Sequence, residues 1–128
     1  MAKKAKTRET FEEMLASCSD TLFPAEMGKA AVTLDSRDVD GDTPLHVMLW
    51  RNNTYAVLQF IEAGADVNAV GDMSETPLHV ALKKQNLVAV AALLKSGADV
   101  SCVDEFGQSP RDLADRLKGE VRRLFDNR

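Results

Sequence analysis

The segment Thr43-Pro44-Leu45-His46-Val47 returns 33 residues later as Thr76-Pro77-Leu78-His79-Val80. Neither a helix nor a strand has so long a period, so the repeat counts a whole supersecondary unit stacked on a copy of itself. Between residues 43–69 and 76–102, 13 of 27 positions are identical, including a Gly-Ala-Asp-Val stretch at matching places. The chain is therefore read as a short solenoid. Its expected divisions are a basic tail at 1–7, a capping helix and degenerate repeat at 8–37, full repeats at 38–70 and 71–103, and a capping repeat at 104–128.

Each full unit carries the same local signals. Asp38-Val39-Asp40-Gly41-Asp42 is a turn sequence, with acids around a glycine able to adopt positive φ. Thr43 before Pro44 reads as a helix start: a side-chain oxygen accepts an exposed N–H, and proline follows where no N–H is required. The first helix runs to about Arg51. Asn52 and Asn53 break it, and a second helix begins at Thr54, buries Val57, Phe60 and Ile61 at helical spacing and ends at Gly64. Ala65 to Ala69 is expected to be extended. The second copy places its helices at about 77–84 and 87–96, closed by Gly97.

The two ends deviate. Thr10 with Glu13 fits a capping box, and Phe11, Met14, Leu15 and Cys18 share one helical face, predicting a helix over about 8–17 that covers the first unit. Pro24 and Gly28 allow only a short helix in the next segment, and Val32 to Ser36 stands in the register of Ala65 to Ala69. In the last copy Arg111 and Asp112 replace Leu78 and His79, while Leu113, Ala114 and Leu117 keep an inner face and Val121, Leu124 and Phe125 mark a final helix. Charges here give the stack the polar outer face that a terminal repeat needs.

Composition decides compartment and chemistry. A chain of 128 residues, 45% hydrophobic and 28% charged, is that of a folded water-soluble domain. No apolar run approaches the roughly 20 residues that span a bilayer, and residues 1–8 lack the apolar core of a secretory signal, so a cytoplasmic location is expected by elimination. Cys18 and Cys102 have no metal-ligand spacing and are expected as free thiols. Residues 9–75 carry 13 acids against three bases, whereas 1–8 carry four positive charges and 76–128 sum to +2. This acidic middle either keeps the protein soluble or presents a face to a basic partner.

The pattern Asp-x-x-Gly-x-Thr-Pro-Leu-His followed by Gly-Ala-Asp-Val-Asn, at this period, resembles the ankyrin repeat family over roughly residues 30–125. The resemblance implies an all-α solenoid of helix-turn-helix units with hairpin-like fingers on one edge, used for binding proteins. Departures are Ser74 for a turn glycine, Gly71 for a leading aspartate, and Asn52 and Gln85 where glycine is usual between helices; they bear on finger shape. Thr43 with His46, and Thr76 with His79, meet on one helix face three residues apart, so each hydroxyl and imidazole can satisfy the other, and a structural role is expected. Two histidines a repeat apart, without cysteine or carboxylate at ligand spacing, do not form a metal site. No catalytic motif is present, and neither enzyme activity nor a cofactor is expected.

By matching positions, finger tips and first helices should line one concave surface. It takes Val39, Asp40, Asp42, Trp50 and Arg51 from the first full unit. Asp72, Met73, Glu75, Lys83 and Lys84 come from the second, and Glu105, Phe106, Gln108 and Arg116 from the last. Trp50, the one tryptophan, aligns with Lys83, which favours exposure over burial. Its acids should repel nucleic acid and attract a basic patch on another protein. The expected function is a binding module that occupies its partner, such as an immunity protein inhibiting a toxin enzyme, and monomeric when alone. A scaffold that self-associates through the same face is the alternative.

Overall fold

A computed structural model describes residues 9–26 and 31–126. Its helices are α1 (Phe11–Ser17), α2 (Ser19–Leu22), α3 (Pro44–Trp50), α4 (Thr54–Glu62), α5 (Pro77–Lys83), α6 (Leu87–Lys95), α7 (Pro110–Leu117) and α8 (Gly119–Asp126). Short 3₁₀ turns occur at Pro24–Glu26 and Asp72–Ser74, and among the described residues there is no strand. None of these helices exceeds nine residues, and pieces so short do not persist in water without packing partners.

The partners are supplied by stacking. Helices α3, α5 and α7 pack in succession as an inner layer, and α4, α6 and α8 as an outer one, each helix also touching its mate in the other layer. At the N-terminal end α1 lies against outer α4 and α2 against inner α3, so the lid crosses the layers in the reverse order. One apolar cluster runs through the stack from Met14 and Leu22 to Val121 and Phe125, with Phe60, Leu45, Met48, Leu78, Leu82 and Leu93 fully buried. The rings of Phe11 and Phe60 form a T-shaped pair, centroids 5.6 Å apart at 78°, which fastens the lid to α4.

Local chemistry sets the ends of each helix. After α3, Asn52 takes φ 58°, its N–H bonding Leu49 O while Asn53 N–H reaches Met48 O; after α5, Gln85 at φ 53° and Asn86 do the same to Leu82 and Ala81. These are Schellman closures built without glycine. Asn53 and Asn86 then start the next helices, their side-chain oxygens accepting from Ala56 and Ala89 N–H at 3.1 Å. Asn86 also bonds Asn52 and Thr54 of the preceding repeat at 2.9 and 2.8 Å.

Three expectations are corrected. The first helix begins at Phe11 because Thr10 is its cap, accepting from Glu13 N–H while Glu13 accepts from Thr10 N–H; Arg8, the basic tail and Gly28 lie outside the described residues. Ala65 to Ala69 is a turn and not extended, with Ala69 N–H on Asp66 O and Asn68 N–H on the Asp66 carboxylate. The same turn joins Ser36 N–H to Thr33 O 33 residues earlier, so that register persists in the irregular opening segment. Leu117 remains substantially exposed, lining a groove instead of the core. Both thiols are free, Cys18 wholly buried and held up to about 11 chiefly by desolvation, Cys102 partly exposed.

Candidate functional site

The fingers are three five-residue hairpins with one shared closure. Asp38 N–H bonds Asp42 O, Gly71 N–H bonds Glu75 O and Asp104 N–H bonds Gln108 O, at 2.9–3.0 Å. In the first and third, the leading aspartate folds back on its own turn: Asp38 Oδ1 accepts from Asp40 and Asp42 N–H, and Asp104 Oδ1 from Phe106 and Gln108 N–H. The middle finger has Gly71 in that place. It turns instead through Met73 and Ser74, at φ 58° and 60°, with Glu75 N–H on Asp72 O, the type I′ arrangement that ordinarily calls for Asn or Gly.

Gly71 has a steric cause. A Cβ there would lie 2.2 Å from Asp42 Oδ1 and 2.9 Å from His46 Nε2. The first finger's Asp42 fills the space of the missing side chain and accepts the N–H of Asp72 at 2.9 Å. The neighbouring contacts continue the ladder, Glu105 N–H bonding Met73 O at 3.0 Å and the Arg37 guanidinium reaching Gly41 O and Val70 O. Three hairpins that would each be marginal alone form one braced edge.

The histidines carry the brace into the stack. His46 and His79 are fully buried at N3 of α3 and α5. In each ring Nδ1 accepts the N–H of the capping threonine at 3.1 Å, which places the proton on Nε2. His46 Nε2–H then donates to Glu75 O and His79 Nε2–H to Gln108 O, both at 2.9 Å. Each histidine thus ties its own helix cap to the finger of the next repeat. Burial holds His46 below the usual imidazole range, against the opposing pull of the Glu75 carbonyl and Asp42. On α7 Asp112 stands at this position, its carboxylate accepting Ser109 N–H at 3.0 Å and lying below its usual range for that reason. A carboxylate has no proton to give, so α7 does not offer the cross-repeat bond.

On the expected concave face, Val39, Asp40, Asp72, Met73, Glu105 and Phe106 are exposed on the fingers, and Trp50 is 44% exposed at the end of α3. Lys84 and Arg116 are exposed on or just beyond α5 and α7. Two expected positions differ in setting. Glu75 is 5% exposed and ion-paired with Lys83, so its charge is neutralised in place. Arg51 faces the N-terminal lid, donating to Ser17 Oγ, Ser17 O and Thr21 Oγ1 at 3.0–3.1 Å. Asp42 and Gln108 are partly buried and serve finger closure through backbone bonds.

Two hollows mark the face. One of about 230 Å³ lies between α3, α5 and the first two fingers, with Trp50 and Met73 contributing apolar surface over the buried Val80, and Asp42, Asp72 and Glu75 contributing acidic groups. The other, of about 240 Å³, lies between α5 and α7, lined by Leu82, Leu113 and Leu117 with Lys83 and Arg116. Asp40 shows the crowding of negative charge: repulsion from Asp72 above all, with lesser effects of desolvation, Asp38 and Asp42, raises its carboxyl above the usual range. Among the described residues no group of His, Cys, Asp and Glu is arranged to hold a metal ion, and no helix is long and apolar enough to cross a membrane.

Short helical repeats bracing a row of fingers beside a hollowed face define the class: a helical repeat protein that presents a surface. The description "Ankyrin repeats (3 copies)" matches residues 2–104, and the chain belongs to the ankyrin repeat family. Ankyrin repeats are general protein–protein interaction modules, typically without catalysis of their own. No curated protein matches the chain. Sequence reasoning missed the histidine-to-finger bond and the packing of Asp42 on Gly71. The coincidence of Gly71 with the loss of an aspartate was the available signal for the second.

Proposed function

We propose that the protein binds one partner protein through the concave face formed by the fingers and by α3, α5 and α7. The observation that carries this reading is that exposed Met73 and Phe106 share a hydrogen-bonded row of fingers with the acids Asp40, Asp72 and Glu105, while exposed Trp50 at the end of α3 lines the hollow beside the first two fingers. Tryptophan anchors commonly dominate interface energies, and a pre-braced surface loses little entropy on binding. The excess of carboxylates at the fingers favours a basic patch on the partner and disfavours phosphate backbones. Such charge accelerates capture more than it tightens the complex, which suits a stoichiometric inhibitor such as an immunity protein that must reach a toxin enzyme quickly.

The test is binding to a partner isolated by affinity capture. Trp50→Ala should weaken the complex by about 2 kcal/mol or more, and Asp40→Lys with Asp72→Lys should slow association and remove its salt dependence. Asp42 is left unchanged because it supports the second finger. Unaltered affinity and association rate in both variants would place the interface elsewhere. The second reading, self-association through the same face, draws on the exposed Met73 and Phe106; light scattering that shows a concentration-dependent dimer would favour it.

A further inference from the structure

We infer that the hollow between α3, α5 and the first two fingers is a receptor for an arginine side chain of the partner, an assignment that rests on the concave-face reading above.

The argument begins with charge. The hollow is lined by three carboxylates, Asp42, Asp72 and Glu75, and one cation, Lys83. Glu75 and Lys83 neutralise each other. His46, at the base, adds no charge, because its Nδ1 accepts from Thr43 N–H and its Nε2–H is committed to Glu75 O. Asp42 and Asp72 are left without a cation among the lining groups, and Asp40 stands beside them on the first finger. Repulsion from Asp72 raises the Asp40 carboxyl above its usual range, in line with this excess of negative charge. An anionic ligand is excluded on this ground, and a purely apolar side chain would strip water from carboxylates without replacing its hydrogen bonds.

Shape and surface then select among cations. Trp50 supplies an exposed indole at one side and Met73 a polarizable thioether from the finger, with Val80 buried beneath them. Guanidinium is planar, stacks on aromatic faces, is less strongly hydrated than ammonium and can bond carboxylates in pairs, so it answers both components of the lining. An arginine stem also covers apolar surface on the way in. The walls are fixed before binding. Asp42 is held by the Asp72 N–H, and Met73 is carried on a left-handed turn whose carbonyl is bonded by Glu105 N–H. A non-glycine pair in this conformation is costly, and the neighbouring fingers that hold it keep Met73 at the hollow.

The experiment uses the full chain and capped pentapeptides of alanine with a central Arg, Lys, Leu or Glu. The readout is the indole N–H resonance of Trp50, unambiguous because the chain has one tryptophan, together with the amides of Asp72 and Met73. The Arg peptide should give a saturable shift confined to these signals. Lys should bind several-fold more weakly, and Leu and Glu should give no saturable shift. Asp72→Asn, whose backbone bonds remain, should weaken Arg binding at least about fivefold with an unchanged thermal melt. Trp50→Ala, followed by the Met73 amide, should do the same. Absence of saturation with Arg, equal binding of Lys, stronger binding of Leu, or an Arg affinity indifferent to Asp72→Asn would each overturn the assignment. These failures leave the concave-face reading standing if Trp50→Ala still weakens the natural complex. Arg binding here with that complex unaffected would sink the face reading and separate the hollow from the partner.

Discussion

Gly71 and Asp42 show how one residue's identity is dictated by another far along the chain. The glycine is not demanded by its own backbone, whose φ of −111° any residue adopts. It is demanded by the carboxylate and imidazole that occupy the place of a side chain. Gly71→Ala should therefore cost about 1–3 kcal/mol, through displacement of Asp42 and loss of its bond to Asp72. Denaturant melts should show part of that cost disappearing when Asp42→Ala is made as well, since the two positions are coupled, while the close approach to the His46 ring remains. His46 gives a second prediction. Its folded pKa lies below the unfolded value of about 6.5, so its contribution is full above that pH and is lost as the pH falls below it. The physical reason is burial, which penalises the charged imidazolium, and a protonated Nδ1 would in addition point a proton at the Thr43 N–H. Melting temperature should drop between pH 7.5 and 5, and His46→Gln should be less stable at neutral pH with a flatter profile across that window.

At the scale of elements, recurrence made the sequence readable. Thr-Pro starts, asparagine or glycine stops and buried positions at helical spacing were legible because each acts within a few residues of itself. The opening segment was less so, since Leu22 to Ser36 departs from the period and its turn at Thr33–Ser36 keeps only register with the later repeats. Arg51 illustrates what element packing adds. Its alignment suggested the concave face, yet its guanidinium bonds three oxygens of α1 and α2 and so joins the lid to the end of α3. Arg51→Ala should destabilise the protein by about 1–2 kcal/mol, with hydrogen exchange accelerated first in α1 and α2. Arg51→Lys should recover only part of the loss, because one ammonium cannot reproduce a planar fork of donors.

For the whole molecule, stability is a matter of neighbours. A stack with two regular repeats has few interfaces to lose, and α7 and α8 cover Leu82 and Leu94 while Gln108 receives the His79 bond. Deleting residues 107–128 should expose that side of α5 and α6. The truncated chain is expected to aggregate and to lose its cooperative melt, and a soluble, cooperatively melting product would contradict this. Binding at the concave face should act in the opposite sense by mass action, raising the melting temperature in proportion to partner concentration.

The sequence by itself determined the period, the all-α repeat architecture, the caps of the regular helices and the residues that recur at finger positions. These depend on local preferences and on identity between copies, both of which are visible along a single chain. Only the tertiary structure decided that His46 and His79 reach the next finger, that Glu75 is neutralised by Lys83, that Arg51 belongs to the lid, and that Asp42, Asp72, Trp50 and Met73 surround one hollow. Those facts depend on the spacing between stacked units, to about the length of a hydrogen bond. The repeat period counts residues and does not contain that distance.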